Sequence, residues 1–158
     1  MIFDDIAAFA AALPAMTALA GLDYGDKTIG VAVSDGMRQV ATPLDTIRRG
    51  KKFTQDAEAL MAILDERAIS GLVLGLPRNM DGTEGPRAQA SRAYARNLAE
   101  AFGLPVLLWD ERWSTQSAEA AMIGLDVSRR KRAERIDAEA ATVILQAAID
   151  AATGSPLL

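Results

Sequence analysis

Apolar positions along the chain keep two periods, and the change from one to the other divides it into alternating elements. Alternation at two predicts strands over residues 19–23, over 28–34 with Ile29, Val31 and Val33 on one face, and over 40–47. The last belongs near a sheet edge, because Pro43 removes a ladder donor. "GLVLG" over residues 71–75 predicts a short buried strand, and 105–109 a fifth strand. Helical spacing predicts a helix over 53–68, with Phe53, Ala57, Leu60, Met61 and Leu64 inward, and another over 87–102, with Tyr94, Leu98 and Phe102 inward. A third is predicted over 115–125, with Ser114 or Thr115 available as N-cap. The last is predicted from about 136 to 151, with Ile136, Ala140, Val143, Ile144 and Ala147 on one face. Near the N-terminus, Ile2, Ile6, Phe9 and Leu13 fall on one helical face that Pro14 closes. This predicts a short helix packed on the domain. Hairpins first and βαβ units afterwards imply an α/β fold, a mixed sheet with helices on its faces.

The length, 158 residues, fits one domain, and half of the chain is apolar, enough for a core. The expected division is a helical extension over 1–15, one domain over 16–152 and a tail over 153–158. The first residues carry Asp4 and Asp5 with no basic residue, which is wrong for a signal peptide. No stretch looks like a membrane span, and a cytoplasmic location is expected. The chain has no cysteine and no histidine. That excludes disulfides, thiolate metal sites, a cysteine nucleophile, Ser-His-Asp triads and His-ligated zinc. Any catalysis must come from carboxylates, Lys or Arg, hydroxyls and bound metal. Mg²⁺ or Mn²⁺ would suit, since hard ions prefer oxygen ligands and activate water without histidine.

The carboxylates sit at informative places. Asp23 ends the first predicted strand, Asp110 and Glu111 end the fifth, and Asp137 opens the last helix. Ligands of open α/β sheets gather outside the carboxyl ends of strands. If the first and fifth strands are near neighbours, Asp23 and Glu111 meet there and Asp137 comes down onto them. Three such acids repel one another without a cation; with one or two divalent ions they become ligands. Each also has a plainer reading. Asp23 could only shape the turn before Gly25, Asp110 and Glu111 could be a solvated strand end, and Asp137 could be a first-turn acid favoured by the helix dipole.

Two basic clusters oppose the formal net charge of −4. One is Arg48, Arg49, Lys51 and Lys52. The other, over 128–135, has five positive residues and one negative, just before Asp137. Such a run suits a polyanionic partner, or is simply a solvated loop. The loop over 77–86 lies between a strand end and a helix start, where backbone N–H groups can meet an anion. Arg78, Asn79 and Arg87 are its candidate phosphate contacts; the alternative is a self-bonded turn. Glu84 could replace Glu111 at the carboxylate site, and Trp113 could stack on a base or pack.

In order, "GLDYGDKTIGVAVSD", "GLPRNMDGTEGPRA", "DERWST" and "SRRKRAERIDAEAATVIL" resemble the YqgF/RuvX family of bacterial proteins. Its members are called pre-16S rRNA nucleases or Holliday junction resolvases. The resemblance covers residues 19–150. The family is similar to ribonuclease H and to the RuvC resolvases. That implies a three-layer fold, a five-stranded mixed sheet whose first three strands are antiparallel, and carboxylates that bind divalent metal. Carried over by position, Asp23, Glu111 and Asp137 are the implied catalytic metal ligands. Neighbours on a strand face opposite ways, and Glu111 rather than Asp110 is expected to point in. Where many members have "DERLTT" this chain has "DERWST", and "YGDK" also departs from the common pattern; neither change removes a carboxylate. Arg112, Arg129, Arg130, Lys131 and Arg132 join Arg78, Asn79 and Arg87 as expected nucleic-acid contacts. The implied partner is pre-rRNA or branched DNA, bound by shape and backbone, and both monomer and homodimer stay open. Two other classes compete. "GLDYGDKTIGVAV" also looks like the phosphate loop of actin-like ATPases, which need two related domains where this length supplies one. A non-catalytic binding module that kept the fold is the other.

Overall fold

The computed structural model describes residues 1–111 and 129–153, with the backbone alone for 129–135 and 153. The predicted helix over 115–125, Arg112, Trp113 and the tail over 154–158 lie outside the described residues. Among the described residues six strands form one sheet: β1 (Ile2–Phe3), β2 (Ala18–Tyr24), β3 (Thr28–Ser34), β4 (Ala41–Arg48), β5 (Ile69–Leu76) and β6 (Val106–Asp110). Their spatial order is β1-β6-β5-β2-β3-β4. β2, β3 and β4 are antiparallel, while β5, β6 and β1 run parallel to β2. The described helices are α1 (Ile6–Ala11), α2 (Phe53–Glu66), α3 (Pro86–Phe102) and α4 (Arg129–Thr153).

Three of these differ from expectation. Ile2 and Phe3 do not start the N-terminal helix; they pair with Val106 and Leu107 as a sixth strand, too short to show a period. The helix begins only after Asp5, whose carboxylate caps it by accepting from the Ala8 N–H. Helix α4 starts at Arg129 and not near 136, so most of the basic run has a helical backbone. The run lacks apolar spacing, but Arg, Lys, Ala and Glu are good helix formers. The buried face of α4 is also turned: Ala141, Ile144, Leu145, Ala148 and Ile149 are buried, while Ile136, Val143 and Ala147 are half-buried. A helix this rich in alanine has an apolar side too broad to fix its own phase.

The sheet carries a core on each face. On one, Leu22, Ile29, Val31, Leu72, Leu74 and Val106 meet Leu60 and Leu64 of α2 and Tyr94, Ala95 and Leu98 of α3. On the other, Leu19, Ala32, Val73 and Leu107 meet α4, with Phe9 of α1 beside them. Central β5 is buried on both faces, which is why "GLVLG" reads as continuous apolar sequence. β4 is an edge strand, and Pro43 sits opposite Ala32 where the register shifts. Among the described residues no helix is long and apolar enough to cross a membrane.

The α4 face is unusually close. A methyl group at Gly21 would lie 2.7 Å from the Leu145 Cβ and 2.9 Å from the Ala141 carbonyl oxygen. One at Gly30 would overlap the Asp137 carbonyl. Glycine inside a strand weakens it, and here its use is to admit another backbone. Gly30→Ala therefore forces α4 off the sheet and should cost about 1–3 kcal/mol, the usual range for overpacking. Urea unfolding checks this against Gly36→Ala, whose new methyl has only an ordinary contact, 3.6 Å from the Met16 carbonyl oxygen, and should be near neutral.

Candidate active site

Side chains alternate across a strand, so residues two apart share a face. On β2, Asp23 follows Gly21 on the face that α4 covers. Across the ladder Asp23 pairs with Gly30, over which the Asp137 main chain lies. Asp23 and Asp137 therefore approach from sheet and helix. The effect is visible in the Asp23 carboxyl, which is pushed up to about 6. Burial is the larger cause and the Asp137 charge the second, while Arg87 works against both.

Glu111 arrives differently. β6 is not beside β2, as a direct meeting of the two strand ends would need; β5 lies between them. The Glu111 N–H bonds the Leu76 carbonyl at 3.2 Å, which turns the chain over the end of β5. Its carboxylate then lies across Gly75, where a methyl group would overlap Oε2 and sit 2.7 Å from Ile144 Cδ1. Burial pushes the Glu111 carboxyl up to about 7; the Asp23 and Asp110 charges add to this and Arg87 opposes it. Glu111, not Asp110, is the acid that overlies Gly75. Asp23 is thus the middle of the three, coupled to Asp137 on one side and Glu111 on the other.

The donor set fits a hard divalent cation. It offers only oxygen, at the carboxyl edge of a sheet, and two of its acids carry mutual repulsion that a cation would relieve. Among the described residues, however, no three acidic side chains stand close enough to hold a metal ion as they are. The acids converge without closing. Asp137 Oδ2 instead accepts a hydrogen bond from the Thr28 hydroxyl at 2.5 Å.

The expected nucleic-acid contacts divide. Arg87, exposed in the first turn of α3, stands near enough to Asp23 and Glu111 to lower both. Arg78 pairs with Glu84 at 3.5 Å. Asn79 is used inside its own loop: its N–H reaches the Thr83 carbonyl at 2.8 Å and its amide the Thr83 hydroxyl at 3.0 Å. The loop over 77–85 is a self-bonded turn. Glu84 is taken by a bidentate pair with Arg92, at 2.6 and 2.7 Å, and stays apart from the acids. Arg129, Arg130, Lys131 and Arg132 have their backbone on the same helix as Asp137, about 8–12 Å along its axis. In the other cluster, Arg49 serves the turn beside Asp23. Its Nη1 donates to the Gly25 and Asp26 carbonyls at 2.8 and 3.0 Å, and its guanidinium lies 4.3 Å from the Tyr24 ring centre. Sequence reasoning missed Thr28, Gly30 and Gly75. A glycine inside each of two strands was the available signal for the last two.

A three-stranded antiparallel sheet extended by parallel strands, with acids at its carboxyl edge and a long helix across them, defines an RNase H-like fold. RuvC from Thermus thermophilus, solved in complex with a Holliday junction substrate, shares this fold. Its TM-score is 0.53 at 16% identity, over 88% of this chain and 97% of that one. The chain belongs to the RuvX family, whose model, described as "RuvX: Holliday junction resolvase", matches residues 17–151. A relative in Ruegeria pomeroyi is 61% identical over 150 residues, covering 95% of this chain and 97% of its own. One in Cereibacter sphaeroides is 61% identical over 150 residues, covering 95% and 93%. Both are named "Putative pre-16S rRNA nuclease".

The two raised acids set a pH dependence. Between their ordinary values near 4 and the folded values of about 6 and 7, the folded state binds more protons than the unfolded. Their effect is therefore to lower stability as pH rises through that window, with the loss complete above it. Asp35 and Glu84 are shifted downward, so their contributions change at lower pH. Calorimetric melts of metal-free protein should show this contribution as a fall in Tm from pH 5 to 7.5, and Asp23→Asn should flatten it. A slope that the substitution leaves unchanged would contradict the assignment.

Proposed function

We propose that this protein is a metal-dependent nuclease that hydrolyses phosphodiester bonds in structured nucleic acid, with the 5′ end of pre-16S rRNA as its substrate in ribosome biogenesis. The observation that carries this reading is the convergence of Asp23, Glu111 and Asp137, from distant parts of the chain, on one sheet edge. Asp23, Glu111 and Asp137 would hold Mg²⁺ or Mn²⁺, which when bound supplies an activated water and neutralises charge developing on the phosphate. The remaining work belongs to the chain. Burial raises the carboxyls of Asp23 and Glu111, a cost that a bound cation would offset, and the sheet sets their places without one. Arg87 places a positive charge beside them, where a phosphate group would lie. The basic residues from Arg129 to Arg132, on the helix that delivers Asp137, would follow the nucleic-acid backbone, with Arg78 and Arg112 as further contacts. Recognition through phosphate and shape suits structured RNA.

The relatives' name supports the RNA substrate. The family description supports a second reading, resolution of branched DNA at the same site. Single-turnover cleavage separates them. A labelled pre-16S 5′ fragment, a four-way junction and single strands are each incubated with and without Mn²⁺. Wild type should cut the RNA fragment only with metal, and preference for the junction would favour the resolvase reading. Asp23→Asn keeps the shape and removes the charge, and should lose about 10²-fold or more in rate while still melting cooperatively. Binding without cleavage of any substrate would leave only a binding module.

The basic run has its own signature. Arg129, Arg130 and Lys131 replaced together by Ala should weaken binding about equally across sequences. For each duplex phosphate that the variant no longer neutralises, the slope of log affinity against log salt should become shallower by about 0.9. An unchanged slope in filter binding would place the phosphate-binding residues elsewhere.

A further inference from the structure

Thr28 opens β3, where the chain leaves the turn after β2. Its backbone is held from two sides. Its carbonyl accepts the Gly25 N–H at 2.9 Å, and it pairs with Arg48 of β4. Two residues before Gly30, it shares the face that α4 covers. Its half-buried hydroxyl donates to Asp137 Oδ2 at 2.5 Å, across 109 residues of sequence. The Asp137 main chain is already fixed by its seat over Gly30. The acid is therefore anchored at both ends, by its carbonyl against one strand position and by a carboxylate oxygen on another.

The chemistry of that second anchor matters. A lysine or arginine in its place would neutralise Asp137 and compete with a bound cation. A hydroxyl leaves the negative charge intact, satisfies Oδ2 and leaves Oδ1. Threonine is also stiff at χ1, so the hydroxyl has little freedom to swing away. We propose that Thr28 is a positioning residue, whose hydroxyl fixes the Asp137 carboxylate so that one oxygen is presented to the divalent cation of the Asp23, Glu111 and Asp137 site. This rests on the metal-site reading above and adds a residue to it. Ligand partners of this kind typically carry a 10–100-fold share of metal affinity.

The test is Mn²⁺ titration calorimetry on nucleic-acid-free protein, for wild type, Thr28→Val, Thr28→Ser, Asp137→Asn and the Thr28→Val/Asp137→Asn double variant. Valine keeps the shape and suits a strand, while serine keeps the hydroxyl. Thr28→Val should weaken Mn²⁺ binding about 10–100-fold, and Thr28→Ser should stay near wild type. In the Asp137→Asn background, Thr28→Val should add nothing, because the hydroxyl acts through that carboxylate. If Thr28→Val does not fold, Thr28→Ala carries the same comparison. Wild-type affinity in Thr28→Val overturns the role and leaves the metal site standing. So does a further weakening by Thr28→Val in the double variant. A wild type that binds no Mn²⁺ overturns the metal site and the role together.

Discussion

The structure depends on one close approach. Beside the packing of Leu19 and Ala32 against it, helix α4 brings its own backbone down onto β2 and β3 over Gly21 and Gly30. That approach sets the depth of Asp137 and brings its carboxylate within reach of Thr28. It also decides what can pack beside it: Ala141 and Ala148 are buried there, where larger residues would lift the helix. Gly75 repeats the device one strand away, making room for both Ile144 and the carboxylate of Glu111. The apolar core and the polar edge therefore share the same glycines. A change to one cannot leave the other untouched.

The carboxylates occupy positions that favour their neutral forms. Asp23 and Glu111 lie against an apolar sheet, and burial is the first cause of both their shifts. The Asp137 charge then raises Asp23 and the Asp23 charge raises Glu111, with Arg87 as a partial counterweight to both. A pair of acids held this way lowers the stability of the bare fold, a pattern expected where residues are arranged for a ligand and not for packing. Glu84 provides the contrast. This acid lies in a nearby loop, is fully engaged by Arg92 and is shifted downward, as a structural ion pair should be.

The sequence was legible where a period or a motif order was present. Strands β2 to β6 follow from alternation and continuous apolar runs, and α2 and α3 from helical spacing, with ends shifted by a residue or two. Asp23, Glu111 and Asp137 stood out because motifs flank them in a recognisable order, and spacing alone could not have joined them. What stayed hidden has physical reasons. Two residues of β1 are too few to alternate. The first turns of α4 are basic, and propensity rather than pattern makes them helical. Nothing beside Thr28 in the chain announces Asp137, and nothing beside Gly75 announces Glu111, because both meetings are made by strand order and crossover. Arg49 read as part of a surface charge cluster, yet its guanidinium is occupied by the carbonyls of a neighbouring turn.

The span between the three acids has a consequence in time. Asp23 stands near the start of the sheet, Glu111 just past its last strand, and Asp137 in the last described helix, so no partial fold contains all three. Pairings this distant in sequence form late, after the loops between them have closed. During synthesis the helix bearing Asp137 follows every described strand out of the ribosome. An incomplete chain therefore carries acids but no assembled site. The three acids meet only once that helix has docked over Gly30.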